Sequence, residues 1–144
     1  GSREEREFGE EIQRTSSLPV VNLCGELSVR GSAALLERAL VFLANDGGLV
    51  HLARALGVPL IAFYGPADPQ VYGPYPPRPH TAAVMRQKLP CRPCYSRFRY
   101  NSACPDRECL SALSPEEVME LLDKENFWPV LSPSKLSLRG GIPK

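Results

Sequence analysis

The stretch FLANDGGLVHLARALGVPLIAFYGP, residues 42–66, decides the fold. The apolar runs 41–44 and 60–64 each have the length and composition of a buried strand. Between them, apolar residues at helical spacing predict a helix, which Gly57 and Pro59 would end. Its inner face would consist of Leu49, Leu52, Ala53 and Leu56. Strand, helix and strand in this order favour a parallel β-α-β unit.

Upstream of this stretch the alternation of helix and strand signals continues. The charged segment 3–15 favours a helix, and the β-branched run 20–23 is typical of a short buried strand. Ser28 is a suitable N-cap for a second helix that ends near Ala39. The inner face of that helix would consist of Val29, Ser32, Ala33, Leu36 and Leu40.

Downstream of residue 64, the regular alternation of strand and helix signals ends. Residues 65–80 are dense in proline and glycine, which predicts an ordered but irregular loop. Residues 81–85 predict one more short strand. Ser114 and Glu117 have the spacing of a capping box, with Pro115 at the first helical position, and they open a final helix.

These elements predict an α/β fold class, a Rossmann-like parallel sheet with helices on both faces, followed by an irregular segment rich in cysteine and proline. We expect one domain over residues 1–122, which includes the final helix and a cysteine-rich loop at 86–110. Residues 123–144 have no periodicity and predict a flexible tail. Trp128 would hold the start of that tail against the domain.

Composition and charge exclude several classes of partner. Hydrophobic residues make up 43% and charged residues 23% of the 144, with a formal net charge of +1, so we expect a globular domain without nucleic acid as a partner. No apolar run approaches the ~20 residues that span a bilayer. The segment from Arg78 to Arg107 has seven basic side chains against one acid, and it is either a solvated face or a surface for anionic ligands.

The turn Asp46-Gly47-Gly48 follows a parallel strand, and such folds bind ligands at the carboxyl ends of their strands. The first amides of a helix lack intrahelical partners, and the helix dipole adds about half a positive charge there. Two glycines would let a diphosphate approach the backbone, and His51 could donate to a phosphate oxygen. In the structural alternative, Asp46 only caps the helix and His51 is an ordinary surface histidine.

Three stretches together resemble glycosyltransferase family 9, the heptosyltransferases of lipopolysaccharide core synthesis. NDGGLVHLARALGVPLIAFYGPADPQVYGPY, residues 45–75, is similar to the family's signature. CGELSVRGSAALLERALVFLAND, residues 24–46, is similar to the run upstream of it. CRPCYSRFRYNSACPDRECLSALSPEEVMELL, residues 91–122, is similar to the family's cysteine-containing tail.

The resemblance implies a GT-B architecture, in which two Rossmann-like domains enclose the active site. This chain is similar to the carboxyl-terminal domain, which holds the nucleotide-sugar donor, and its own amino-terminal domain would be a partner. The residues that match the donor-diphosphate motif are Asp46, Gly47, Gly48 and His51. Leu27 matches a position that packs on the adenosine, and Glu5, or Glu4 as the alternative, would hold the ribose hydroxyls.

The sequence departs from the family pattern at two positions. Gly47 replaces a residue with a hydroxyl group, and Ala67 replaces the threonine that usually follows Gly-Pro. Both changes remove hydroxyls that could bind a phosphate or sugar oxygen. A diphosphate would therefore depend more on backbone amides, and the affinity or the choice of sugar would differ.

The resemblance also implies the reaction. Transfer would be inverting and would need no cofactor, with an ADP-heptose-like donor, a glycolipid acceptor and a cytoplasmic location, at the inner face of the bacterial inner membrane. The catalytic base would lie in the amino-terminal domain, so we predict no catalytic residue in this chain and no transferase activity by this chain alone.

Four cysteines lie within nineteen residues: Cys91, Cys94, Cys104 and Cys109. Four thiolates can close a structural zinc site, although the second spacing is longer than in common zinc ribbons. Disulfides and free thiols are the alternatives, and a reducing cytosol would disfavour disulfides.

A second function class stays open beside the enzyme. The same fold could serve as a non-catalytic nucleotide-binding module or as an interaction module held by a metal. Gly47 and Ala67 favour this alternative because they remove hydroxyls from the donor site.

Overall fold

The computed structural model describes residues 1–76, 79–85, 89–95, 99, 104, 107–124 and 127. Its helices and strands, in chain order, are α1 (Arg6–Thr15), α2 (Val29–Glu37), β1 (Phe42–Asn45), α3 (Gly48–Ala55), β2 (Leu60–Tyr64), α4 (Pro69–Tyr72), β3 (Thr81–Met85), α5 (Glu108–Ser111) and α6 (Pro115–Lys124). The chain divides into two compact units, residues 1–35 and 36–144.

The larger unit is built on a parallel sheet in the order β1-β2-β3. Phe42 lies opposite Leu60, and Leu60 lies opposite Thr81, so the three strands start level with one another. Leu60 is fully buried, as expected for a central strand of a parallel sheet. The predicted α/β fold class is therefore confirmed, and the predicted strands at 60–64 and 81–85 have the bounds that the structure shows.

Helices cover both faces of this sheet. On one face, Leu60, Ala62 and Tyr64 pack against Val50 and Ala53 of α3. On the other face, the core consists of Ile61, Ala82, Val84, Leu122 and Phe127, with α6 contributing Leu122. The alternation of side chains along β2 thus supplies both cores.

The end of α3 follows from its sequence. Gly57 adopts a left-handed backbone (φ 71°), and the amide of the next residue, Val58, donates to the carbonyl of Ala53 at 3.0 Å. This is a Schellman-type helix end, in which glycine avoids the strain that a side chain would bring. The chain then turns directly into β2.

The predicted inner face of α3 is wrong in part. Val50, Ala53 and Arg54 are the buried residues, whereas Leu49 is exposed. Two apolar stripes at helical spacing overlap in this helix, and the periodicity alone does not separate them. The same problem affects α2, where Leu36 is buried but Val29 is exposed.

The predicted strand at 20–23 is also wrong. The structure forms no strand there, and Val21 is 76% exposed. The carbonyl of Val20 accepts a hydrogen bond from the Gln13 side chain at 2.9 Å, in place of a ladder bond. A β-branched run becomes a strand only when a neighbouring strand pairs with it, and sequence composition does not supply that neighbour.

Local capping signals are confirmed in both units. Ser28 Oγ accepts a hydrogen bond from the Gly31 amide at 3.1 Å at the start of α2. At the start of α6, the Ser114 amide donates to Glu117 Oε2 at 2.9 Å and the Glu117 amide donates to Ser114 Oγ at 3.2 Å. This reciprocal pair is the predicted capping box.

Two further predictions concern the flexible tail and a membrane-spanning segment. In the predicted tail, only 123, 124 and 127 are described, and Trp128 lies outside the described residues. Across the described part of the chain, no helix is both long and apolar enough to cross a membrane.

Candidate functional site

The predicted phosphate-binding turn lies where β1 ends. The Asp46 amide donates to the carbonyl of Phe63 on β2 at 3.0 Å, which extends the ladder by one residue beyond Asn45. Gly47 follows, and α3 begins at Gly48. The turn therefore lies at the carboxyl edge of the sheet, next to the end of β2.

The amino terminus of α3 has no side-chain cap. Gly47 is the N-cap residue, its backbone is extended (φ 172°, ψ 177°), and no side chain among the described residues caps the helix. Asp46 therefore does not cap this helix, and the purely structural role that the sequence allowed for it is not observed. The Val50 amide donates to the Gly47 carbonyl at 3.1 Å, so the amides of Gly48 and Leu49 are the ones available to an external acceptor, most favourably to an anion.

Packing does not require glycine at either position of this turn. A Cβ atom added at Gly48 would meet nothing within 4 Å, and one at Gly47 would meet only the Asn45 carbonyl oxygen at 3.8 Å. Extended backbone at Gly47 is open to any residue. Among the described residues, no atom would therefore obstruct a methyl group at either glycine.

Asp46 and His51 lie close enough to interact electrostatically. Asp46 is exposed as a residue, yet loss of hydration around its carboxyl raises the pKa of Asp46, and His51 acts in the opposite direction. His51, one turn into α3, is also exposed. The four residues predicted to bind the donor diphosphate therefore form one exposed group around the start of α3.

Tyr64 is a residue of this site that sequence reasoning missed. Its side chain is fully buried at the end of β2, and its hydroxyl has no hydrogen-bond partner among the described residues. Burial raises the pKa of Tyr64 to about 12, and the charge of Asp46 adds to this effect. Only the strand register places this phenol beside Asp46, which is why sequence spacing gives no signal for it.

The loop after β2 is packed rather than open. Ala67 belongs to the buried core, so a side chain at this position does not face solvent. Asp68 caps α4 by accepting from the Gln70 amide at 2.9 Å. Arg92 donates to the Ala67 carbonyl at 3.0 Å. The loss of a hydroxyl at position 67 therefore concerns the core of this chain and not an exposed ligand surface.

Arg54 is the second residue that the sequence did not reveal. This α3 residue is only 3% exposed, and its Nε donates to the Pro76 carbonyl at 2.6 Å. Its Nη2 donates to the same oxygen. The guanidinium thus fixes the far end of the loop to the helix that begins at the candidate site.

The two residues predicted to bind the nucleoside lie in the unit formed by residues 1–35. Leu27 is partly exposed. Glu5 Oε2 accepts a hydrogen bond from the Ser2 amide at 2.6 Å, and hydrogen bonding by Ser2 lowers the pKa of Glu5. Their assignment to adenosine and ribose stays a prediction.

All four cysteines of the predicted zinc site are described, and none forms a disulfide. Among the described residues, no three histidine, cysteine or acidic side chains are grouped as metal ligands. Cys109 is buried, and burial raises the pKa of its thiol, with Arg92 opposing this and Cys94 and Cys104 adding to it. The zinc site stays a prediction.

The basic run between Arg78 and Arg107 is described only in part, because Arg78, Arg86, Lys88 and Arg97 lie outside the described residues. Arg99 and Arg107 are exposed. Arg92 is half-buried and engaged with the Ala67 carbonyl. At Arg92, at least, the positive charge has a structural role.

The fold and the sequence both have known relatives. The sequence profile of glycosyltransferase family 9 (heptosyltransferase) matches residues 1–101. The chain therefore belongs to this family. Lipopolysaccharide heptosyltransferase 2 of Escherichia coli K12 is 31% identical over 128 residues, which cover 85% of this chain and 35% of that protein. Lipooligosaccharide heptosyltransferase 2 of Haemophilus influenzae is 36% identical over 92 residues, 60% of this chain and 25% of that protein.

Solved structures show the same fold. The glycosyltransferase family 9 protein of Veillonella parvula superimposes with a TM-score of 0.69 at 23% identity, over 87% of this chain and 34% of that one. The ADP-heptose lipopolysaccharide heptosyltransferase II of E. coli gives a TM-score of 0.61 at 24% identity, with the same coverage. The chain spans about a quarter to a third of the length of the curated relatives it matches.

Proposed function

We propose that this chain binds the nucleotide-sugar donor of a glycosyltransferase that passes a heptose from an ADP-heptose-like donor to an acceptor of the lipopolysaccharide-core type. Membership of family 9 supports sugar transfer. The names of relatives that act on lipopolysaccharide, and the ADP-heptose named for the E. coli structure, support the donor and the acceptor.

The observation that carries the proposal is the open turn at Gly47 and Gly48. Its helix has no side-chain cap, its glycines meet no packing demand, and it lies at the carboxyl edge of a parallel sheet. A diphosphate would accept hydrogen bonds from the first-turn amides of α3, at the positive end of the helix dipole. No side chain would stand between the backbone and the phosphate oxygens.

Asp46 and His51 would divide the polar contacts according to their chemistry. His51 can donate to a phosphate oxygen. An ionised Asp46 only accepts hydrogen bonds and would repel a phosphate, so it suits the hydroxyl groups of the ribose or the sugar on either side of the diphosphate. The site would thus hold the two ends of the bond between sugar and diphosphate.

The role in transfer would be stabilisation of the leaving group. As the sugar leaves, negative charge grows on the diphosphate, and fixed amides and His51 would stabilise it without reorganisation. The acceptor hydroxyl would need a general base, which we place in a further domain of the enzyme, and inversion would follow from a single displacement. This chain alone would therefore bind a donor but transfer no sugar.

An amide chemical-shift titration tests donor binding. ADP should shift the amides of residues 46–51, whereas adenosine, which lacks the diphosphate, should leave them in place. UDP and GDP should bind the same turn more weakly if the base is recognised elsewhere in the chain. If millimolar ADP, UDP and GDP all leave residues 46–51 unshifted, the proposal is wrong.

A further inference from the structure

The phenol of Tyr64 is the least explained polar group of the core. The residue is 0% exposed, and its hydroxyl has no hydrogen-bond partner among the described residues. Buried polar atoms in native proteins nearly always have a partner, and those without one need a specific explanation. The position of Tyr64, at the end of the central strand, points to the neighbouring turn.

The strand register places Tyr64 beside Asp46. Asn45 lies opposite Phe63, and the Asp46 amide donates to the Phe63 carbonyl at 3.0 Å. One residue further, Asp46 is level with Tyr64. Ala44 and Tyr64 pack into the same core cluster, so both belong to the sheet face that α3 covers. Because side chains alternate along a strand, Asp46 continues on that face.

The Tyr64 phenol and the Asp46 carboxyl interact electrostatically. Burial chiefly, and the Asp46 charge in addition, raise the pKa of Tyr64 to about 12, so the phenol stays a neutral donor at any physiological pH. Loss of hydration raises the pKa of Asp46. The other titratable group that acts on Asp46 is His51 of α3, and it lowers the pKa of Asp46.

We propose that Tyr64 is a positioning residue for Asp46: its phenol donates a hydrogen bond to the carboxylate when the exposed Asp46 side chain turns inward. Tyr64 is too buried to touch a ligand, so it acts only through Asp46. The inference deepens the proposed function and rests on it for the identity of the ligand, the hydroxyl groups of a nucleotide sugar.

This hydrogen bond would have two effects. Donation to the charged form of a carboxylate lowers its pKa, which offsets the effect of burial and keeps Asp46 ionised. A second-layer donor also fixes the orientation of the acceptor oxygens, so that the free lone pairs face the ligand. Both effects would disappear together if the phenol oxygen were removed.

The Tyr64→Phe variant removes that single oxygen. Because the hydroxyl has no hydrogen-bond partner among the described residues, the variant should fold as well as the parent chain. The control is Tyr72→Phe, since Tyr72 packs at the edge of the same core and makes an edge-to-face contact with Tyr95 at a centroid distance of 5.2 Å. The first measurement is the titration of the Asp46 carboxyl by 13C NMR without any ligand.

We expect the pKa of Asp46 to rise by about half a unit in Tyr64→Phe and to stay unchanged in Tyr72→Phe. The second measurement is the affinity for ADP-glucose, which should fall about threefold in Tyr64→Phe. In an Asp46→Asn background the same tyrosine change should have no further effect, because the coupling is lost with the carboxylate.

The two measurements separate this inference from the proposed function. Identical Asp46 titration curves in the parent chain and in Tyr64→Phe would overturn the positioning role even if ADP-glucose binds. A raised Asp46 pKa in Tyr64→Phe, with no binding of ADP-glucose by the parent chain, would support the positioning role and contradict the proposed function.

Discussion

Two glycine-containing segments border the carboxyl edge of the sheet, and they differ in what their glycines meet. At the turn before α3, a Cβ atom on Gly48 would have open space around it. In the loop after β2, a Cβ on Gly73 would clash with the Pro69 carbonyl oxygen, and one on Gly65 would lie 2.9 Å from Leu110. One segment needs glycine for packing, and the other does not.

The difference distinguishes a segment that packing holds in place from one that is open to a ligand. The loop after β2 is fixed by Arg54 and Arg92, which donate to the carbonyls of Pro76 and Ala67. The turn before α3 has an uncapped helix start and an exposed carboxylate with a raised pKa. Features that cost stability and serve no packing purpose are typical of binding sites.

The largest effect is expected at Gly73. Gly73→Ala would place a methyl group against backbone that cannot rotate away, and overpacking of this kind costs about 3 kcal/mol. Urea unfolding at pH 7 measures it. Gly48→Ala is the matched control and should change stability by no more than about 0.5 kcal/mol. Equal losses in the two variants would remove the contrast between the segments.

A somewhat smaller loss is expected for Arg54→Ala. The change removes the buried guanidinium that donates to the Pro76 carbonyl, and a hydrogen bond to a charged group contributes about 2 kcal/mol. The exposed Arg38→Ala serves as the control and should be nearly neutral. Full stability in Arg54→Ala would show that the loop does not depend on this anchor.

The stability of the chain at alkaline pH should depend on the buried phenol of Tyr64. Its folded pKa of about 12 lies above the ordinary 10.0, so the neutral phenol contributes stability that is complete below pH 10 and is lost as pH rises toward 12. At pH 11 this loss should be about 1 kcal/mol. Tyr64→Phe should lack it, whereas Tyr72→Phe should keep it. The same alkaline loss in Tyr64→Phe would contradict the burial of the phenol.

The smallest effect is a gain in stability at the turn. The pKa of Asp46 is raised, so the carboxyl stabilises the fold fully only below pH 3.8, and this stability is lost as pH rises through the folded pKa. At pH 7, Asp46→Asn should therefore be slightly more stable than the parent chain, by less than about 1 kcal/mol. The gain should vanish near pH 3. A loss of stability at pH 7 would give Asp46 a structural role instead.

The sequence predicts an element well when residues next to each other in the chain determine it. The capping box at Ser114 and Glu117 needs no distant partner and is confirmed. The apolar run at 60–64 is confirmed as a strand because β1 and β3 pair with it on either side. The run at 20–23 has the same composition as a strand, but a strand also needs a neighbour to pair with, and none pairs with it among the described residues.

The sequence also predicts the residues of the turn, but it does not predict the buried side chains of Arg54 and Tyr64. Asp46 and His51 follow from the pattern of the motif. The buried Arg54 depends on a carbonyl twenty-two residues away, and Tyr64 meets Asp46 only through the strand register. Long-range partners of this kind are set by the fold as a whole, which explains why sequence periodicity misses them.

The most direct test of the donor site is the dissociation constant for ADP, measured by calorimetry on the parent chain and on Gly48→Ala. A methyl group at position 48 would obstruct a diphosphate at the first-turn amides without touching the protein. The predicted result is an affinity at least about tenfold weaker, or about 1.4 kcal/mol, at an unchanged melting temperature. Equal dissociation constants in the two proteins would contradict the assignment of this turn to the diphosphate.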